Sequence, residues 1–162
     1  MSPLDPSALL TFWHVAIWRG DWAEAERRLP PRDPALDRIH IATYRALASG
    51  DAERKEAAAR QVIALGDACC GPMKAVLLTQ LGQSARAIAL LEKLQAAQSD
   101  VPPRNLGLLF PTDPAMRSLW HDPAIEPVLR RHGLIDYWRA SGTRPDVCGE
   151  PRPPAFCRLL RS

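Results

Sequence analysis

Several things that would assign a function quickly are missing from this sequence of 162 residues. No run of eighteen or more apolar residues exists, so no membrane-spanning helix is expected. The opening Met1-Ser2-Pro3-Leu4-Asp5-Pro6 has no basic stretch followed by an apolar core, and so does not read as a secretory signal. On these grounds the expected location is the cytoplasm. Charge of one sign is scarce too, the net charge being only +3. Met1 to Met116 holds thirteen basic and thirteen acidic residues, and the excess begins at Arg117, with eight arginines against five acids. A nucleic-acid binder usually carries a denser patch, so the default is a solvated arginine-rich surface.

Catalytic and metal motifs are absent as well. The histidines His14, His40, His121 and His132 stand apart, without H-E-x-x-H or H-x-E spacing. There is no G-x-S-x-G, no phosphate-cradling glycine loop and no paired-carboxylate motif, so no enzyme is expected. The four cysteines, Cys69, Cys70, Cys148 and Cys157, contain no C-x-x-C pair, which excludes the usual zinc spacings. No metal or cofactor is expected. Reduced thiols are the default for a cytosolic chain, although eight residues in a proline-rich stretch could bring Cys148 and Cys157 together.

What is present is helix-forming: alanine, leucine and arginine dominate. With 46% hydrophobic and 24% charged residues the chain can build an ordinary core. Three segments align on a turn glycine. They run ALLTFWHVAIWRGDWAEAERRL around Gly20, IHIATYRALASGDAERKEAAARQVIAL around Gly50, and MKAVLLTQLGQSARAIALLEKL around Gly82. The glycines lie 30 and then 32 residues apart. Each segment predicts helix, tight turn, helix, because glycine takes the left-handed conformation that ends a helix without a Cβ clash. Asp21, Asp51 and Ser84 follow as candidate caps of the next helix. Leu9, Phe12, Trp13, Ala16 and Ile17 fall on one apolar face, as do Ile88, Leu91 and Leu94. Pro30-Pro31, Pro34, Pro72 and Pro102-Pro103 mark the breaks.

At these positions the chain resembles the tetratricopeptide repeat, whose period is about 34 residues. Ala25 and Ala87 stand five residues after their glycines, where the repeat has its most characteristic alanine. Lys55 replaces it in the second unit, with Ala57 and Ala58 nearby. The large residue that the family has early in the first helix is represented by Leu9, Ile39 and Gly71. From Leu108 the chain resembles the ending found on tetratricopeptide domains of many proteobacterial regulators. The matching residues are Met116-Arg117-Ser118-Leu119, Asp122-Pro123, Gly133-Leu134, Tyr137-Trp138-Arg139-Ala140-Ser141-Gly142, Pro145-Asp146, Cys148 and Cys157. Ala124 and Val147 stand where that ending has aromatic residues. Such chains are often joined to winged-helix or nucleotide-cyclase domains, and no segment here matches either, so neither activity is expected.

The resemblance implies an all-α fold, a short right-handed α-solenoid of about three helix pairs over residues 6–98. A helical capping unit over 105–142 follows, then an extended Pro/Arg-rich tail over 143–162, all in one continuous structural domain. In the cap, Asp122 is expected to start a helix bearing Ile125, Val128 and Leu129, with Gly133 ending it. Tyr137, Trp138 and Arg139 then fall in a second helix sealing the stack. The first helix of each pair would line a concave face. That face presents Leu10, His14, Ile17 and Trp18, then Asp37, His40 and Tyr44, then Val76, Thr79 and Gln80. Aromatic anchors there suit a protein partner, which makes the chain an expected adaptor or sensor component of a regulator. The alternative is a nucleic-acid-associated protein using Arg130, Arg131, Arg139, Arg144, Arg158 and Arg161.

Overall fold

The computed structural model describes residues 6–31, 33–65, 70–96 and 116–160. Helix makes up 77% of it, and no strand occurs among the described residues. The Pro102-Pro103 break, the first part of the expected cap (105–115), Cys69 and Arg161 lie outside the described residues, as does the side chain of Leu9. No helix among the described residues is long and apolar enough to cross a membrane. The chain divides into two compact units, Met1–Cys69 and Cys70–Ser162, with the boundary between the second and third helix pairs.

The first unit holds α1 (Pro6–Trp18), α2 (Trp22–Arg27), α3 (Pro34–Ser49) and α4 (Ala52–Ala64). Gly20 lies at φ 69° and closes α1. Its N–H donates to Ile17 O at 3.0 Å, and the Asp21 N–H donates to Ala16 O at 3.0 Å. These two bonds satisfy carbonyls that the helix end leaves open. The Asp21 carboxylate then accepts from Glu24 N at 3.0 Å, capping α2. Gly50, also at φ 69°, ends α3, but there the Asp51 N–H bonds the Ser49 hydroxyl at 3.2 Å. Asp51 caps α4 through Arg54 N at 2.8 Å. Asp33 caps α3 with Pro34 in the first turn, where a missing N–H costs nothing.

The alanine five residues after the glycine does what a small residue at a helix crossing should do: Ala25 is fully buried. In the second pair, where Lys55 stands instead, Ala58 and Ala59 take over the buried contact. Trp13, Ala16, Ile17, Ala25 and Tyr44 form one core, with Trp22, Leu29 and Leu47 packed against it. Arg45 on α3 ties to Glu26 on α2 by a bidentate pair, with bonds of 2.6 to 3.1 Å. Phe12, expected on the core face, is 46% exposed instead. It lies under the Arg28 guanidinium, 5.1 Å from the ring centre.

The second unit begins with α5 (Gly71–Gln80) and α6 (Ser84–Ala96). Gly82, at φ 76°, repeats the first turn: its N–H reaches Thr79 O at 3.0 Å and the Gln83 N–H reaches Leu78 O at 2.8 Å. Ser84, expected as the cap, is already the first helical residue. Gly71 stands where the resembled repeat has a large side chain. Here Leu94 fills that volume, and a Cβ on Gly71 would lie 2.6 Å from its methyl carbons. Ala87 and Ile88 of α6 are buried, as are Leu77 and Leu78 of α5.

Three short helices follow, α7 (Arg117–His121), α8 (Ile125–Arg131) and α9 (Leu134–Ser141). Asp122 does not begin α8 directly. It ends α7, and its carboxylate accepts from Ala124 N at 2.9 Å, so that the helix starts at Ile125. Gly133, at φ 69°, ends α8 as expected. The stripe Ile125, Val128, Leu129 is buried, and so are Ile135 and Trp138 of α9.

The tail departs from the extended course expected of a proline-rich segment. It folds into two 3₁₀ turns, Asp146–Gly149 and Ala155–Leu160. Val147, Phe156 and Leu160 are buried. Phe156 enters an aromatic cluster with Trp120 and Trp138 at centroid distances of 5.7 and 6.0 Å, and the two tryptophans lie 5.9 Å apart. Cys148 and Cys157 form a disulfide, Cα to Cα 5.5 Å, which corrects the expectation of reduced thiols. Cys70 is disulfide-bonded as well.

Candidate functional site

The concave face read from the sequence divides when its residues are placed. In the first unit Ile17, His40 and Tyr44 are buried, at 8%, 2% and 1% exposure, and therefore cannot meet a partner. The reason is that α3 packs against α2 as well as α4, so both of its apolar sides are covered. His40 Nδ1 donates to Leu36 O at 3.0 Å, its ring 5.8 Å from Trp13 and 5.9 Å from Tyr44. Trp22 stacks on the other side of Tyr44 at 6.0 Å. These four rings make a continuous internal file, and burial of that much aromatic surface is structural.

His14 and Trp18 remain on the surface. Leu10, His14 and Trp18 are four residues apart along α1 and so share one stripe. Trp18 is 51% exposed and Leu10 is 39% exposed, while His14 is half-buried between them. The His14 and Trp18 rings stack at 6.2 Å with 22° between their planes. An indole held this way has fewer rotamers to lose on binding, and about half of the residue still touches water. Val76 and Gln80 belong to the second unit, four residues apart on α5, and both are half-buried.

The turn residues Gly20, Gly50 and Gly82 all occupy the positive-φ conformation that their positions require. In the C-terminal motif the three residues separate by role. Trp138 is buried, Tyr137 is 60% exposed, and the Arg139 Nε donates to Leu159 O at 2.9 Å. The remaining surface arginines are mostly engaged. Arg130 pairs with Glu126 at 3.0 Å, Arg131 with Glu92 at 3.3 Å, and Arg144 Nη2 donates to Leu160 O at 3.2 Å. Glu150, which sequence reasoning did not single out, accepts from Arg117 Nε at 2.6 Å and from His121 Nε2 at 3.1 Å. Burial pushes its carboxyl up, but the bond and charge of Arg117, helped by His121, hold it below its ordinary value. No group of three metal-ligating side chains occurs among the described residues.

No family model, no curated protein and no solved structure matches the chain.

Proposed function

We propose that this chain is a protein-interaction module of the helical-repeat type, with helix pairs like those of the tetratricopeptide repeat. In this reading it acts as an adaptor or regulatory component. The α1 stripe of Leu10, His14 and Trp18 receives an apolar segment of a partner protein. The observation that carries the proposal is Trp18: half of its indole is in water, stacked on His14, although the core behind it is complete without it. Large aromatic side chains of this kind supply a disproportionate share of interface energy. The repeat-like turns at Gly20, Gly50 and Gly82 support the architecture, and the exposed indole supports the use of its first helix.

A nucleic-acid role is the weaker reading. Arg130 and Arg131 already pair with Glu126 and Glu92, and Arg139 is bonded to Leu159 O, so these three do not form an open basic face.

The test begins with a partner captured from native extract by the full chain and then purified. Its affinity for wild type, Trp18→Ala and Tyr137→Ala is measured. Trp18→Ala is expected to weaken binding by roughly thirtyfold, the equivalent of a 2 kcal/mol anchor, with its melting curve unchanged. Tyr137→Ala is expected to bind normally. Equal affinity for wild type and Trp18→Ala would remove α1 as the binding surface.

A further inference from the structure

The segment from Arg144 to Arg158, in the second unit, is unused by the reading above. Its two 3₁₀ turns are linked by the Cys148–Cys157 disulfide, and the loop so closed borders a cavity of about 340 Å³. Three arginines line it, Arg144, Arg152 and Arg158, together with Pro153, Pro154 and the two bridged cysteines. No acidic side chain is among the lining residues. The nearby acid of the loop, Glu150, is drawn away by Arg117 and His121. Arg144 is fixed by its bond to Leu160 O. Arg152 and Arg158 are both exposed, and neither makes an ion pair or hydrogen bond among the described residues. Three like charges around one void repel each other, and no stabilising contact of Arg152 or Arg158 accounts for their convergence.

We propose that this cavity binds a small oxyanion of the phosphate-monoester class. Guanidinium forks match phosphate oxygens two at a time, and a dianion with three acceptor oxygens can engage all three arginines. A single carboxylate has only two oxygens and one charge, which leaves a fork unsatisfied. The volume lies at the lower end of the range for small-ligand sites, roughly 300–1,000 Å³. It therefore admits the phosphate with a short carbon skeleton. Pro153, Pro154 and the disulfide offer that skeleton an apolar wall. The disulfide is the frame of the site, since it fixes the turn after Arg144 against the turn that carries Arg158.

The test is calorimetric titration of the oxidised full chain with glycerol 2-phosphate. Succinate serves as the dicarboxylate control and a short single-stranded oligonucleotide as the polymer control. Saturable one-to-one binding of the phosphate ester is expected, with succinate at least about tenfold weaker. The double variant Arg152→Ala/Arg158→Ala should lose at least about tenfold in affinity, with an unchanged melting curve. Arg152→Lys/Arg158→Lys keeps the charge but not the forks, and should also bind more weakly. Reduction of the disulfide should weaken binding too. No saturable heat at millimolar ester, or full affinity in the alanine double variant, would overturn the site. Full affinity in the lysine variant would reduce it to unspecific attraction, and full affinity after reduction would remove the disulfide as its frame. Stronger, arginine-dependent binding of the oligonucleotide would replace the small ligand by a polymer.

Discussion

The two units build their aromatic clusters from different distances along the chain. In the first, Trp13, Trp22, Tyr44 and His40 form an internal file, while Trp18 and Phe12 stay on the surface. In the second, Trp120, Trp138 and Phe156 close on one another, and Tyr137 stays outside. The first unit is assembled from neighbours in sequence: capped helices, glycine turns and small residues at crossings. The second adds partners that are distant along the chain, with Phe156 under Trp120 and Glu150 bonded to Arg117. A surface tryptophan beside a finished core is available for recognition. A tryptophan that completes a core is not.

The sharpest way to break this contrast is to truncate one tryptophan from each class. Trp138→Ala should cost about 3–5 kcal/mol, as expected for removing a buried indole. Trp18→Ala should stay within roughly 0.5 kcal/mol of wild type. Thermal melts of both variants decide it, and equal losses would erase the distinction between core and surface aromatics. Next in size is the covalent link. Replacing Cys148 and Cys157 by serine should destabilise the oxidised chain by about 2.5 kcal/mol, from loop closure alone, at their sequence separation of 9. Urea midpoints would measure it, and a null result would show that the aromatic cluster holds the tail without help.

A glycine turn probes the other unit. A Cβ on Gly50 meets nothing within 4 Å, so the cost of Gly50→Val is set by the positive φ of 69°. About 1–3 kcal/mol is expected for a branched residue there, and a melt matching wild type would refute the strained turn.

The smallest effect is with pH, and it belongs to the second unit. Burial, then the charge of Arg131, hold the His132 imidazole below its ordinary value. The unfolded chain therefore binds that proton more readily, and the stability is present above the ordinary imidazole range and lost as pH falls through it. Glu150, held low by Arg117 and His121, acts in the same direction at more acid pH. Its contribution is present above the ordinary carboxylate range and lost as the carboxylate is protonated. Tryptophan fluorescence followed during acidification should show the C-terminal cluster loosening, and Glu150→Gln should flatten the most acid part of that curve. An identical acid limb in the variant would show that Glu150 contributes nothing.

How far the fold was legible from sequence depends on how local each determinant is. Gly20, Gly50 and Gly82, with the aspartate caps at 21 and 51, announce themselves because turn geometry restricts the residue type within a few positions. The buried stripe of α8 was legible for the same reason. The faces of α3 were not. A period of 3.6 identifies an apolar stripe, but it cannot say that a second helix covers the other side, and so it places His40 and Tyr44 on the surface. Phe12 failed in the opposite sense, since Arg28, sixteen residues on, gives its ring a surface partner. The tail was the largest miss. Proline suggested an extended run, but Val147, Phe156 and the paired cysteines were apolar signals whose partners lie far back along the chain. Of the candidate surface, the stripe of His14 and Trp18 could be read from the sequence. The three-arginine cavity could not, because its walls lie on two turns that the disulfide and the seat of Phe156 bring together.

The seat of Phe156 also has a consequence for how the protein is made. A chain emerging from the ribosome at about 5–20 residues per second can complete the first unit from segments already synthesised. Trp120 and Trp138 must wait for Phe156 before their cluster can close, so the second unit is finished only from its C-terminal turn backwards.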